Sequence, residues 1–466
     1  MTHVHFIGIG GSGLSAIARL LLESGYTVSG SDRALSPFAD EVRKAGAMVY
    51  VGHHPRNLAG VDSVVRSSAI TDDNPEVQAA KRAGIPVHKR ADFLGQLMSD
   101  KTGIAIAGTH GKTTTTAMAA WVLHELGREP SFIIGSVMNN LGVNARAGKG
   151  KLFVIEADEY DNMFLGLKPQ IAVVTGVEHD HPDFFPTVES MYSSFENFVD
   201  LLPDDGTLIA CAEDAGAAAL ITHVRKQGKN VVSYSVQGEM TINSPNWVQA
   251  SRLKPNYRGG FDFFVSSNLG NNSTDSAAVS LQVPGEHNVR NALAVLAIVE
   301  LLGLSYEKAV KALNEFTGTA RRFQLRGEVN GISIFDDYAH HPTEIKATLA
   351  GARARYPERR IWAVWQPHTF SRTQALFLEF ARAFKDADEV IVTEVFAARE
   401  PKQNFTSAEI VSTMPHLAAR YIETLPEVTN YLYGNLRSGD VLLVLSAGDA
   451  DQVSTDLVNL FNELKP

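Results

Sequence analysis

The chain has 466 residues, 44% of them hydrophobic and 20% charged, with Gly 37 and Pro 19. That composition excludes a disordered chain, a collagen and a coiled-coil rod, and at about 150 residues per domain it predicts three domains. The formal net charge of −10 argues against a partner held by bulk charge, so neither nucleic acid nor a membrane surface is expected.

The chain starts MTHVHFIGIGGSG, without the cationic and long apolar regions of a signal peptide, so no targeting segment is expected. A strand over His3–Gly8 runs into a glycine-rich turn. A helix over Ser12–Glu23 follows from the spacing of Leu14, Ile17, Ala18, Leu21 and Leu22, with Gly25 placed to end it. Strands follow at Thr27–Ser31 and Asp62–Ser67. The alternation predicts a parallel sheet with helices on its faces, a Rossmann-like unit over residues 1–99. Its turn, Gly8-Ile9-Gly10-Gly11-Ser12-Gly13, is a G-x-G-x-x-G between strand and helix, with Asp32 at the end of the second strand. That arrangement places a diphosphate on the helix N-terminus and a carboxylate near a ribose hydroxyl. A nicotinamide dinucleotide and a nucleotide sugar both suit it, and so does a plain tight turn.

A second unit is expected over residues 100–322. An apolar strand, Ile104–Ala107, leads into Gly108-Thr109-His110-Gly111-Lys112-Thr113-Thr114 and then a helix through Leu126. Glycines let backbone N–H groups wrap phosphate oxygens, Lys112 can reach the β/γ-phosphates, and the Thr113 hydroxyl can ligate Mg²⁺. Ile106 stands where the strict phosphate-loop pattern needs glycine, so the loop is a shortened variant. The competing reading is a Gly-Lys turn that only caps a helix. Further strands are expected at Phe153–Ala157, Ile171–Val177 and Thr207–Cys211. Cys211 is the one cysteine, which excludes an intrachain disulfide, a thiolate zinc site and an Fe–S cluster and fits a cytoplasmic protein. Glu156, Asp158 and Glu159 end one strand; Glu178, His179, Asp180, His181 and Asp183 end another. Carboxylates and histidines at strand ends beside a phosphate loop can complete a Mg²⁺ site, while His179 and His181 leave zinc possible and a solvated acidic loop is the plainer reading.

Residues 236–283 turn rich in Asn, Ser and Phe, with strand-like pieces at Phe261–Val265 and Ala278–Val283. They read as a small antiparallel appendage to a central P-loop ATPase-like unit. A helix over Val289–Leu302 closes that unit. Its apolar stretch Ala292–Val299 is far short of the ~20 residues that span a bilayer.

A third, Rossmann-like unit is expected over residues 323–466, with strands at Ile332–Phe335, Ile361–Trp365, Val390–Thr393 and Val441–Leu445. Asp336-Asp337-Tyr338-Ala339-His340-His341-Pro342 and Gln366-Pro367-His368-Thr369-Phe370-Ser371-Arg372-Thr373 follow two of these strands. Arg321, Arg322 and Arg372 can hold carboxylate or phosphate in a two-pronged grip. The paired histidines can shuttle a proton, or they can simply cap the helix that Pro342 begins.

Together IGIGGSGLSAIA, AGTHGKTTTT, IEADEYD, EHDHPD, VPGEHNVRNALA, GTARRFQLRGEVNGISIFDDYAHHPTEI and QPHTFSRT resemble the Mur ligases, over nearly the whole chain. The family forms amide bonds with ATP in bacterial cell-wall (peptidoglycan) synthesis. DDYAHHPTE and QPHTFSRT resemble the members that add L-alanine to UDP-N-acetylmuramate. The resemblance implies phosphorylation of the lactyl carboxylate to an acyl phosphate, then attack by the amino group of alanine. It implies ATP contacts at Gly108, Thr109, His110, Gly111, Lys112, Thr113 and Thr114, an adenine region at His287, Asn288 and Asn291, and nucleotide contacts from Arg322 and Asp337. Mg²⁺ falls to Glu156 and His181, with Thr113 on a second ion. The incoming amino acid falls to Tyr338, His340, His368 and Arg372, with Arg372 on its carboxylate. UDP-sugar falls to Gly10, Gly11, Ser12, Gly13, Asp32 and Ser68. Lys112, Glu156, His181, His340 and Arg372 are the expected catalytic set. A monomer or weak homodimer is expected.

Two departures stand out. Thr369 replaces an arginine found in some relatives. No lysine occurs between His181 and Pro203, so the carbamylated lysine of several members is not expected. Family members that add a tripeptide to the same sugar form the nearest alternative. An NAD-dependent dehydrogenase, suggested by GIGGSG and Asp32, leaves Lys112, Glu156 and His181 unexplained. A nucleotide-binding regulator without turnover is the third reading.

Overall fold

The computed structural model describes residues 2–236, 245–269, 277–398 and 400–463. Three sheets organise them. The first has five parallel strands in the order Met48–Val51, Thr27–Asp32, His3–Ile7, Ser63–Arg66, Val87–Lys89. The order reverses at the central strand His3–Ile7, which puts the glycine-rich turn at the switch point where doubly wound sheets bind ligands. The helix Ser12–Glu23 forms over the span its spacing predicts, burying Leu14, Ile17, Ala18 and Leu21.

The second sheet has ten strands. Its parallel centre runs Asn230–Val236, Thr207–Cys211, Ile171–Val174, Thr102–Ala107, Leu152–Glu156, Ser131–Met138. Trp247–Pro255 joins Asn230–Val236 in parallel, and Phe261–Ser267 and Ala277–Ser280 then extend that edge antiparallel. The antiparallel stretch is therefore a continuation of the central sheet. Residues 237–244 and 270–276 of the stretch lie outside the described residues. The helices Lys112–Glu125 and Glu286–Leu301 lie side by side and are buried along almost their full length, as helices apolar on every face must be. The second begins at Glu286, three residues before its apolar run, because Gly285 at φ 92° turns the chain into it.

The third sheet runs Gln324–Val329, Ile332–Asp337, Val441–Leu445, Ile361–Trp365, Glu389–Val392, Ala419–Tyr421, with the first pair antiparallel and the rest parallel. Two apolar layers, one on each face, make its core. By contrast, one continuous apolar core joins the first and second sheets. The helix Ser12–Glu23 packs on the strands Ser131–Met138 and Val143–Arg146 of the neighbouring sheet. Among the described residues no helix is long and apolar enough to cross a membrane.

Candidate functional site

The phosphate-loop candidate sits where the strand Thr102–Ala107 hands over to the helix Lys112–Glu125. Gly108 holds φ 129°, and a Cβ there would lie 2.1 Å from Thr175 Oγ1; Gly111 holds φ 81°, and its Cβ would lie 2.8 Å from Asn291 Oδ1. Neither position tolerates a side chain. The adjoining strand stops at Val174, short of the Val177 expected from its apolar run, because the next residues fasten this loop. Thr175 N–H donates to the Ala107 carbonyl (3.0 Å), Thr109 N–H to the Gly176 carbonyl (2.9 Å), and Thr109 Oγ1 to the Glu178 carbonyl (2.8 Å). No side chain caps the helix at Gly111, so its first N–H groups and its partial positive charge face open space.

Lys112 turns back over the loop. Its Nζ donates to the Gly108 carbonyl (2.6 Å) and pairs with Glu159 Oε1 (2.8 Å). Burial, with the repulsion of Asp158, pushes the Glu159 carboxyl up to about 7 despite the lysine. Thr113 Oγ1 donates to Glu156 Oε1 (3.0 Å), and Gly135 N–H holds the other oxygen of Glu156 (2.6 Å). His181 stands nearby, its Nε2 4.0 Å from Glu159 Oε1, on a left-handed backbone at φ 54°. Such a conformation is kept against strain at sites that need it. His179 instead turns to the Phe185 carbonyl (2.8 Å), so the two histidines do not converge.

A cleft opens beside the loop. His110, Gly111, Thr113 and Thr114 line one wall, His287, Asn288 and Asn291 a second, and Arg322 and Asp337 a third. Asn288 Nδ2 donates to the Pro284 carbonyl (2.7 Å) and Asn291 Nδ2 to Asn288 Oδ1 (3.0 Å). Burial pushes His287 down to about 4, so it faces the cleft uncharged at neutral pH. Asp337 accepts from Phe323 and Ala339 N–H (both 2.8 Å) and is pushed up to about 6 by burial.

The third unit closes on the loop through ion pairs. His110 Nε2 meets Glu178 Oε2 at 2.9 Å, and its Nδ1 meets Glu344 Oε1 at 3.3 Å across the boundary between sheets. The two carboxylates raise His110 to about 9, so it is an imidazolium at neutral pH. Thr343 Oγ1 also donates to Glu178 (2.9 Å), and Arg322 lies 3.6 Å from Glu344. Ligand atoms of His110, Glu178 and His341 lie within 4.8 Å of one another, a spacing a cation could bridge. His341 caps the helix Pro342–Arg355, its ring accepting from Thr343 N–H. His340, its neighbour, is part of the site. Its Nδ1–H donates to the Tyr338 carbonyl (2.9 Å), which leaves Nε2 as an acceptor, and burial pushes it down to about 3. The Tyr338 ring lies between Arg321 and Arg322, at 5.1 and 5.3 Å.

Arg372 is buried. Its Nε donates to buried Asp180 (2.7 Å), and its remaining nitrogens approach His368 Nδ1 (3.2 Å) and His181 Nδ1 (3.4 Å). One guanidinium thus joins the two histidine-bearing loops.

The first glycine-rich turn is a separate cradle. Gly10 N–H donates to Asp32 Oδ2 (2.8 Å), and Ser36 Oγ holds the Gly10 carbonyl (2.8 Å). Asp32 therefore also anchors the turn itself. Gly11, Ser12 and Gly13 begin a helix with no side-chain cap, and Ser68 lies exposed after the neighbouring strand. Asp180, Glu159, Glu178 and Glu344 carry contacts that spacing alone did not single out. The available signal was their place next to His181, Lys112's strand-end cluster and the His340–His341 pair.

Three family descriptions match the chain in order: Mur ligase family, catalytic domain, over residues 3–102; Mur ligase middle domain, over 106–299; and Mur ligase, glutamate ligase domain, over 321–448. A UDP-N-acetylmuramate–L-alanine ligase of Desulfosudis oleivorans is 41% identical over 461 residues, covering 98% of each chain. Among solved structures, the UDP-N-acetylmuramate-alanine ligase of Thermotoga maritima matches all of both chains with a TM-score of 0.81 at 29% identity. A murein peptide ligase of Psychrobacter arcticus matches all of both with 0.71 at 27%.

Proposed function

The chain belongs to the Mur ligase family, and on that premise we propose that it joins L-alanine to the lactyl carboxylate of UDP-N-acetylmuramate, using ATP, in peptidoglycan precursor synthesis. The observation that carries this reading is the 41% identity with a ligase of that name across 98% of both chains.

The chemistry follows from the site. A carboxylate is a poor electrophile, and phosphorylation gives it a leaving group. ATP, a sugar diphosphate and a carboxylate must then meet in one place, so positive groups have to offset their repulsion. We assign that task to Lys112, to the free N–H groups of the phosphate loop and to Arg322. The cleft walled by His287, Asn288, Asn291, Arg322 and Asp337 takes the adenosine part of ATP. The donors beside the loop suit Mg²⁺: Thr113, Glu156 and His181 would hold it, and the second oxygen of buried Glu159 has no hydrogen-bond partner. Bound there, the ion would supply charge neutralisation for the phosphoryl group. Residues 1–99 take the UDP-sugar through Gly10, Gly11, Ser12, Gly13, Asp32 and Ser68; residues 100–322 take ATP.

Residues 323–466 take the amino acid. Neutral His340 presents Nε2 as an acceptor for the amino group, and it cannot repel an ammonium ion. Arg372, held at Nε by Asp180, turns its outer nitrogens toward the place where His368 and His181 meet, and these receive the alanine carboxylate. Tyr338 closes the same wall.

The test is phosphate release by the purified protein with UDP-N-acetylmuramate, ATP and a panel of amino acids and the murein tripeptide, with the product checked by mass. Alanine-dependent release is expected. Release with the tripeptide and not with alanine would transfer the protein to the peptide-adding branch.

A further inference from the structure

Arg90 opens the helix Arg90–Met98, which follows the last strand of the first sheet. Its guanidinium lies on Gly13. A Cβ at Gly13 would stand 2.3 Å from Arg90 Nη1 and 2.5 Å from Cζ, so glycine is required there to admit the arginine. Nε is buried and has no hydrogen-bond partner, and Arg90 forms no ion pair among the described residues. The carboxylates that act on it are Asp158 and Glu156. Neither is available to it as a partner: Glu156 is held by Thr113 and Gly135, and Asp158 by Tyr160 N–H (3.2 Å).

This is an unfavourable place for an unpaired cation. The helix Ser12–Glu23 points its positive end at the same spot and has no acidic residue in its first turn and no side-chain cap. The helix Arg90–Met98 adds its own positive end, relieved by Asp92 alone. Like charges gathered this way call for an anion. Arg90 also stands between the two glycine-rich loops, which is the path a sugar nucleotide takes from the first cradle to the phosphate loop.

We propose that Arg90 binds the diphosphate of the UDP-sugar, gripping it from above Gly13 while the N–H groups of the turn hold it from below. The inference rests on the UDP-sugar reading of that cradle. Diphosphate is favoured over the lactyl carboxylate because the guanidinium lies on the turn itself, and a planar fork suits two adjacent phosphate oxygens.

Calorimetry with UDP, UDP-N-acetylmuramate and Mg-ATP on the wild type, Arg90→Gln and Arg90→Lys tests it. Arg90→Gln is expected to weaken UDP and UDP-N-acetylmuramate alike by roughly 10- to 100-fold, the worth of a charge-assisted contact, and to leave Mg-ATP within about twofold. Arg90→Lys is expected to recover part of the loss, and the salt dependence of UDP binding is expected to be shallower in Arg90→Gln than in the wild type. If UDP-N-acetylmuramate weakens while UDP does not, Arg90 serves the sugar end and the proposal fails. Unchanged affinity for both, or equal loss for UDP and Mg-ATP in both variants, also overturns it, with the UDP-sugar reading intact. A wild type that binds no UDP-N-acetylmuramate removes that reading and this inference with it.

Discussion

Glu76 offers a sharp test of how the sugar-nucleotide cradle is held. It is completely buried under the first sheet. It accepts hydrogen bonds from Ser31 Oγ, Asn57 Nδ2 (2.7 Å) and His54 N–H (3.1 Å), and the rings of His5 and His53 lie 3.6 and 3.4 Å away. Ser31 precedes Asp32, and Gly52 N–H holds the Asp32 carbonyl (2.7 Å). Glu76 thus ties the loop of residues 52–57 to the strand that ends in Asp32. Burial alone would raise its carboxyl; the hydrogen bonds from His5, Ser31 and Asn57 more than offset that and lower it from 4.5 to about 2.

A carboxyl whose pKa is depressed on folding stabilises the folded state above its unfolded pKa and loses that contribution as pH falls through the folded one. At about 1.36 kcal/mol per unit, the shift is worth about 3 kcal/mol at pH 7. The contribution falls to about half near pH 3 and to almost nothing near pH 2. Glu76→Gln keeps the shape and removes the charge, so it should cost the first unit about 3 kcal/mol at pH 7 and much less at pH 3. Hydrogen exchange read by mass spectrometry on peptides covering His3–Ile7 and Thr27–Asp32 reports this unit separately, which a global melt of a three-sheet chain does not. Equal protection of variant and wild type at pH 7, or a deficit of the same size at both pH values, would refute the reasoning.

Three further outcomes are expected. Lys112→Ala should lower phosphate release at saturating ATP at least about 100-fold, because no other side chain brings positive charge to that edge of the loop; near-normal turnover would contradict the role. Arg372→Ala should raise the KM for alanine roughly 10- to 100-fold and that for ATP far less. It also leaves Asp180 buried and unpaired, so a drop in stability of about 3–5 kcal/mol is expected, relieved in part by adding Asp180→Asn; equal shifts in both KM values would count against the assignment. The bridge from His110 to Glu178 and Glu344 belongs to a histidine whose pKa is raised to about 9. It should be complete below pH 6.5 and lost as pH rises through about 9. Small-angle scattering should then show the third unit loosening between pH 7 and pH 10 in the protein without nucleotides, and curves that superimpose would argue against the bridge.

Much of this was legible in one dimension. The turns Gly8–Gly13 and Gly108–Thr114 could be read because a strand, a tight turn and a helix are neighbours in the chain, and glycine is demanded wherever a backbone must approach a phosphate. Buried parallel strands such as Thr207–Cys211 and Val441–Leu445 declared themselves as short apolar runs, which is what burial on both faces requires. Ser131–Met138 and Val143–Arg146 did not, since their exposed and buried residues follow the packing of the helix Ser12–Glu23 against them, a partner more than a hundred residues away.

The tertiary structure decided what joins the units. His110 to Glu344, Asp180 to Arg372, and Arg90 over Gly13 are contacts between residues far apart in sequence, so no spacing rule announces them. His340 and His341 show the division within a single pair. Sequence supplied two adjacent histidines and a proline. Only the approach of the third unit made one a buried neutral acceptor in the cleft and the other a helix cap, because adjacent side chains at a strand-to-helix turn point into different surroundings.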